Sequence, residues 1–192
     1  MRYGVHVAFV LIVLLTYFSV KVFFDPQKQI VAYVSTFGFL ALLSTIFVLL
    51  IPVLLRFKKT SLTVYLSSER RWIGIYTFVF AAIHVFLVYN FFFGWDINRF
   101  LNHPNRLYLS MGTIALIIFA FMTATSNNYS VKKLGKNWKR LHLLIYPALI
   151  LILIHSFSIG LIYLKSTWAK AAILLIVAAV LTAKFFKYKK SK

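Results

Sequence analysis

The sequence predicts an all-α integral membrane protein, a bundle of six transmembrane helices with both termini in the cytoplasm. Of its 192 residues, 61% are hydrophobic and the mean hydropathy is +0.85, whereas a soluble domain is typically about half apolar. Six apolar segments each approach the ~20 residues that cross a bilayer core. They leave no room for a separate soluble catalytic domain, so residues 1–192 are predicted to form one membrane domain.

The six predicted spans follow one another with short polar links. The first span follows Arg2 and lacks a small-residue cleavage site, so it is predicted to be retained rather than removed as a signal peptide. Pro52 falls near the end of the second span, where breaking a helix costs little. The predicted spans are residues 5–24, 30–55, 72–93, 107–125, 141–164 and 168–186.

The basic residues predict the orientation. With six spans, 16 of the 22 Lys and Arg residues fall on the side that carries both termini, and an excess of Lys and Arg marks the cytoplasmic side. A multi-pass membrane protein is expected. Clusters beside spans also attract anionic lipid, which makes nucleic-acid binding a poor explanation of the +19 charge. Absence of cysteine excludes thiolate metal sites.

Two histidines, His84 and His155, lie inside predicted spans. An ionisable residue there is costly and usually functional, and the three acidic residues all fall in links. A metal or a haem iron would satisfy a neutral imidazole directly. Counting from the inner end of each span places the two residues roughly 18 and 22 Å along it. The alternative is that each ring hydrogen-bonds a backbone carbonyl or a hydroxyl group, and spacing leaves both interpretations open.

A third histidine, His142, lies thirteen residues before His155, about 20 Å nearer the cytoplasm. On a straight helix the two side chains would point about 140° apart, although Pro147 between them is able to kink it. His142 is either a step to an inner haem or an interfacial residue. Arg70 and Arg71, at the inner end of the third span, are poor iron ligands but suit haem propionates. His6 and His103 lie near span ends or in a link and are interpreted as ordinary.

Two motifs carry a family resemblance: RRWIGIYTFVFAAIH (Arg70–His84) and KKLGKNWKRLHLLIYPALILILIH (Lys132–His155). The link DPQKQI and the segment MTATS are also similar. With these motifs the chain resembles the MsrQ family, the haem-binding membrane subunits of MsrPQ systems within the ferric-reductase-like transmembrane superfamily. It departs from that family at STFGF, where a Gly-Arg pair is expected, and at PNRLY, where Arg-Pro-Tyr is usual.

The resemblance implies an electron-transfer subunit of an oxidoreductase system, with no catalytic residue of its own. It implies a b-type haem whose iron is held by His84 and His155, with His142 as a further ligand candidate beside Arg71. Electrons would enter from a cytosolic flavin reductase or quinol and leave to a periplasmic molybdopterin enzyme that repairs methionine sulfoxide. A second haem at His142, a flavin such as FMN or a quinone would bridge the inner gap.

Two alternatives to this function stay open at the level of sequence. One is a stand-alone transmembrane ferric reductase, which would deliver electrons to metal chelates rather than to a protein. The other is a non-redox small transporter or assembly factor, which would need neither His84 nor a coloured cofactor. The lack of acidic residues inside the spans argues against a proton-coupled transporter.

Overall fold

The computed structural model of the protein describes residues 3–189, with side chains to residue 184. Of the basic residues that predict the orientation, Arg2, Lys190 and Lys192 lie outside the described residues. Within residues 3–189, six helical segments are long and apolar enough to cross a membrane, which confirms the predicted all-α class with six spans. The helices are α1 (Gly4–Phe23), α2 (Gln29–Phe57), α3 (Ser61–Val88), α4 (Ile97–Leu101), α5 (Arg106–Ala124), α6 (Asn128–Leu134), α7 (Lys136–His142), α8 (Ile145–Ile159) and α9 (Thr167–Lys189).

Two packed helix pairs form the centre of the bundle. α2 packs along α3, α5 packs along α8, and α3 also contacts α5, which joins the pairs. α1 and α9 pack against α2. The core lies mainly along the second half of α2, where Leu42 and Leu49 are almost fully buried and pack with residues of α8 and α9. α1 buries only Thr16 and Val20, so most of its apolar side chains are free to face lipid.

We call the end of the bundle with the α1–α2, α3–α5 and α8–α9 links the outer end, and the opposite end the inner end. The sequence predicts that the inner end is cytoplasmic. α3 begins at this end and is longer than its predicted span, since it starts at Ser61 rather than at Trp72. Thr60 caps it: the Thr60 hydroxyl accepts from the Thr63 amide, and the Thr63 hydroxyl accepts from the Thr60 amide. The polar link predicted there is therefore largely helical.

At the outer end, α3 continues into one wide π-helical turn over Tyr89–Phe93. Such turns are rare and are frequent near functional sites. Gly94 ends the turn in the left-handed region, at φ +59°, a conformation that glycine adopts without steric cost. The chain then forms the short helix α4 and returns along α5, so the link between α3 and α5 lies over the outer end.

The fifth predicted span, residues 141–164, is interrupted near its start and ends early. α7 stops at His142, two residues form a turn, and α8 begins at Ile145. Pro147 explains the interruption, because it has no N–H to bond the carbonyl of Leu143 and its ring clashes with that carbonyl. α8 ends at Ile159, where Gly160 turns to an extended conformation, so the last five residues of the predicted span lie in the link.

Candidate cofactor site

His84 projects from α3 against the backbone of α2. Its Nδ1 lies 2.8 Å from the carbonyl oxygen of Val34. One turn further along α2, Gly38 leaves room for the ring, because a Cβ built at this position would come within 2.9 Å of Nδ1. The side chain of any larger residue at position 38 would therefore collide with the imidazole.

His155 on α8 has the same relationship to α5. Its Nδ1 lies 2.9 Å from the carbonyl oxygen of Tyr108. A Cβ built at Gly112 would lie 2.7 Å from that nitrogen. We call each combination of a carbonyl at position i and a glycine at position i+4 a histidine cradle.

The four-residue spacing in the cradles has a physical reason. In an α-helix the carbonyl of residue i lies beside residue i+4, whose N–H it accepts. A side chain at i+4 would cover this carbonyl, whereas glycine leaves one lone pair open to a ring from the neighbouring helix. Since a carbonyl only accepts, Nδ1 of each histidine carries the hydrogen. Each Nε2 therefore keeps a lone pair.

The two rings meet between the helix pairs. Their centroids are 6.1 Å apart and their planes are perpendicular. A bond between a first-row metal ion and an imidazole nitrogen is about 2 Å long, and that nitrogen lies roughly 1 Å from the ring centroid, so two imidazoles on opposite sides of one ion have centroids roughly 6 Å apart. The observed separation fits two ligands of one ion, and neither Nε2 has a hydrogen-bond partner among the residues described.

Both rings line a partly open cavity of about 600 Å³. Ligand pockets in proteins generally measure about 300–1,000 Å³, so this space suits a medium-sized cofactor. Its wall is mostly apolar, with Phe39, Ala81 and Leu116 among the lining residues. The walls belong to α2, α3, α5 and α8 and to the outer links.

A bare metal ion does not fit this site well. Among the described residues, no group of three or more His, Asp or Glu side chains is close enough to hold a metal. Two imidazoles and a large apolar cavity instead suit an ion whose other ligands come from a flat, apolar chelate. The backbone hydrogen bond considered as the alternative from sequence is present at Nδ1 of both rings, yet it leaves Nε2 available.

His142 lies elsewhere, at the inner end. Its ring packs on Trp138, with centroids 4.1 Å apart, and Trp138 in turn donates from Nε1 to the carbonyl of Thr125. The Nε2 atom of His142 is buried without a hydrogen-bond partner in the described part of the chain. Because the helix is interrupted after it, His142 and His155 lie on different helices, and His142 is absent from the cavity wall.

The two arginines at the base of α3 point to different partners. Arg70 donates from Nε to the carbonyl of Val48 on α2, at 3.1 Å. Arg71 donates from Nη1 to the side-chain carbonyl of Asn128 on α6, at 2.8 Å. Both charges act on His142, so these three side chains form one inner cluster.

Sequence reasoning missed three residues of the outer site. Gly38, Gly112 and His103 all line the cavity, but a glycine in a membrane helix is common and a histidine in a link is ordinary. The repeated spacing was the available signal for the glycines: Val34 and Gly38 on one helix, Tyr108 and Gly112 on another. It becomes meaningful only once the pairing of the helices is known.

The family of ferric reductase like transmembrane components matches residues 37–153. This region includes His84 and His142 and ends two residues before His155. No solved structure matches the chain significantly.

Three curated relatives share the same degree of similarity. The chain is 32% identical over 133 residues to the protein-methionine-sulfoxide reductase heme-binding subunit MsrQ of Salmonella paratyphi B, of Salmonella newport and of Salmonella heidelberg. The matched region covers 68% of this chain and 64% of each relative, so the chain spans about two thirds of their length. Since the family match takes in more than half of its residues, the chain belongs to the ferric-reductase-like transmembrane family.

Proposed function

We propose that the protein binds a b-type haem between His84 and His155 and carries electrons across the bacterial inner membrane. The observation that supports this most is the pair of imidazoles 6.1 Å apart at a cavity of about 600 Å³. A haem bound there would supply reversible one-electron chemistry, which amino-acid side chains do not provide. The relatives from Salmonella are called heme-binding subunits, which agrees with this assignment.

The residues of the chain have three tasks in this proposal. His84 and His155 bind the iron through Nε2. The carbonyls of Val34 and Tyr108 fix both ring orientations and, by accepting from Nδ1, make each Nε2 a stronger ligand. The apolar wall excludes water, which keeps the reorganisation of charge during electron transfer small and tunes the potential of the bound group.

At the inner end, we assign His142 and Arg71 to a second cofactor site. The outer site lies far from the inner surface, so a second group is needed to complete the electron path. A second haem at His142, an FMN or a quinone would each do so. Among the described residues, the buried Nε2 of His142 has no hydrogen-bond partner, and two guanidinium groups lie near it. Both features support a ligand there that binds the ring nitrogen and carries negative charge.

The similarity to the MsrQ subunits and the predicted orientation support the redox partners that we propose. Electrons would enter at the cytoplasmic end from a flavin reductase or from quinol. They would leave at the periplasmic end to a molybdopterin methionine sulfoxide reductase. The basic links at the inner end offer a docking surface for an acidic partner protein, in addition to their contact with anionic lipid.

The first experiment is an optical spectrum of the purified chain in detergent, before and after dithionite. We expect a Soret band that shifts on reduction. The reduced protein is then mixed with a periplasmic methionine sulfoxide reductase or with chelated Fe(III), and its reoxidation is timed. Faster reoxidation by the enzyme supports the proposal, and faster reoxidation by the chelate indicates a stand-alone ferric reductase. A colourless preparation whose function survives His84→Ala would overturn the redox assignment altogether.

A further inference from the structure

His103 lies in the wall of the cavity, within the link between α4 and α5. Its ring packs edge-on against Phe93, with centroids 5.7 Å apart. Its Nδ1 accepts a hydrogen bond from the backbone N–H of Asn105, at 3.1 Å. The ring is therefore held in place by the π-helical turn on one side and by the link backbone on the other.

The hydrogen bond also fixes where the proton of His103 resides. A backbone N–H only donates, so Nδ1 of neutral His103 carries the lone pair and Nε2 carries the hydrogen. This is the opposite tautomer to that of His84 and His155, whose Nδ1 atoms face carbonyls. His103 is thus prepared to donate a hydrogen bond, whereas the other two are prepared to bind a metal.

The position of His103 places this donor beyond the two ligand rings. Asn105 lies three residues before Tyr108, a separation of about 4.5 Å along the helix axis. The carbonyl of Tyr108 is the one that holds His155. Phe93, the ring that His103 touches, lies nine residues beyond His84, roughly 13 Å at 1.5 Å per residue. The Nε2–H of His103 has no hydrogen-bond partner among the residues that the structure describes.

The surrounding link is positively charged. Arg99 lies 3.6 Å from Asp96 and is partly neutralised by it. Arg106, one residue beyond Asn105, donates from Nη1 to the carbonyl of Leu101 instead. Its positive charge therefore stays uncompensated by a carboxylate of the link, which favours an anion beside His103.

We propose that His103 donates a hydrogen bond from Nε2 to a propionate carboxylate of the haem at the outer end of the cavity. This inference depends on the proposed function, because it needs a haem held by His84 and His155. It assigns to this chain an anchor for the haem edge, distinct from the iron ligands. His103 is a binding residue in this scheme and takes no part in ligating the iron.

The test compares haem with its dimethyl ester, which has the same ring and iron but no propionate charge. Full-length protein from haem-deficient cells is reconstituted in detergent with each compound, and its dissociation is followed by transfer to apomyoglobin. We expect the wild-type protein to retain haem about tenfold longer than the ester, since a hydrogen bond to a charged group has about this effect. In His103→Ala the two retention times should become nearly equal.

Two matched variants complete the design. His6→Ala removes a histidine at the inner end, where His6 pairs with Tyr76. This variant should keep the wild-type ratio of the retention time of haem to that of the ester. His103→Gln, which retains an N–H donor, should restore part of it. An unchanged tenfold ratio in His103→Ala would overturn the propionate contact alone. A wild-type protein that gives no low-spin spectrum with either compound would overturn this contact and the proposed haem site together.

Discussion

The outer and inner ends of the bundle treat their histidines differently. At the outer end, His84 and His155 come from two helix pairs, and each ring has its Nδ1 bonded to a carbonyl beside a glycine. Both rings line a cavity of about 600 Å³. At the inner end, the ring of His142 packs on Trp138, and its buried Nε2 lacks a hydrogen-bond partner in the described chain.

The difference shows what a prepared ligand site needs. The outer rings are oriented before any cofactor arrives, because the cradles fix both the tautomer and the direction of each imidazole. The inner ring stacks on Trp138 and lies near the positive charges of two guanidinium groups. In the proposed function, the outer end would hold a metal between two imidazoles, whereas an inner group would depend on one imidazole nitrogen and on contacts of its own anionic groups with arginine.

Removing a histidine should have the largest effect and should separate the two ends. We expect His84→Ala and His155→Ala each to lower the haem bound per protein by more than tenfold, because even the loss of a supporting group around a metal ligand costs about 10–100-fold. His142→Ala should keep the spectrum of the outer centre. Haem content is measured by the pyridine haemochrome method on all three variants.

Two results of this comparison would contradict the account. Full haem content in His84→Ala would show that this residue is no ligand. Loss of the outer spectrum in His142→Ala would show that the two ends are not independent. If His142→Ala binds one haem per protein fewer than the wild type and keeps the outer spectrum, the inner group is a second haem.

The glycines of the cradles should have the next largest effect. In Gly38→Ala and Gly112→Ala the new Cβ would lie 2.9 and 2.7 Å from a ring nitrogen, and forcing the ring aside costs about 1–3 kcal/mol. Gly74→Ala is the matched control, because nothing lies within 4 Å of its Cβ and alanine favours a helix by about 1 kcal/mol.

We expect both cradle variants to lose haem at a lower temperature than the wild type on heating. Gly74→Ala should lose haem at the same temperature as the wild type or at a higher one. The loss of haem is followed at the Soret maximum during heating. If all three alanines behave alike, the cradles are not what orients the histidines.

Much of the outer site was predictable from sequence, and part of it was not. The two histidines were identified as candidate ligands because an imidazole without an acidic partner is costly inside a membrane span. The length of each span and the rise of a helix then placed both at similar depths. Which backbone groups hold the rings depends on how α2 pairs with α3 and α5 with α8, and apolar sequences with weak periodicity do not specify this pairing.

The boundaries and His103 were harder for a different reason. Hydropathy detects apolar residues, so the polar first turns of α3 were assigned to a link although the Thr60 cap makes them helical. His103 was interpreted as ordinary because its role depends on a hydrogen bond to Asn105 and on the cavity. Neither can be inferred from position along the chain.

Arg71 should give the smallest effect and tests the inner end. Its hydrogen bond to Asn128 joins two exposed side chains, and such a surface contact stabilises by less than about 1 kcal/mol. Asn128→Ala and Arg71→Ala should therefore unfold at nearly the same temperature. Only Arg71→Ala should weaken retention of the inner cofactor, measured as flavin, quinone or second haem per protein. Equal retention in the two variants would leave Arg71 with a structural role alone.

The most direct test of the outer site is the electron paramagnetic resonance spectrum of the oxidised protein. Two axial imidazoles give a low-spin ferric haem, and perpendicular ring planes, as observed for His84 and His155, give a strongly anisotropic low-spin signal. The account predicts this signal in the wild type and its replacement by a high-spin signal in His155→Ala. A high-spin signal in the wild type, or an unchanged low-spin signal in His155→Ala, would contradict ligation by this pair.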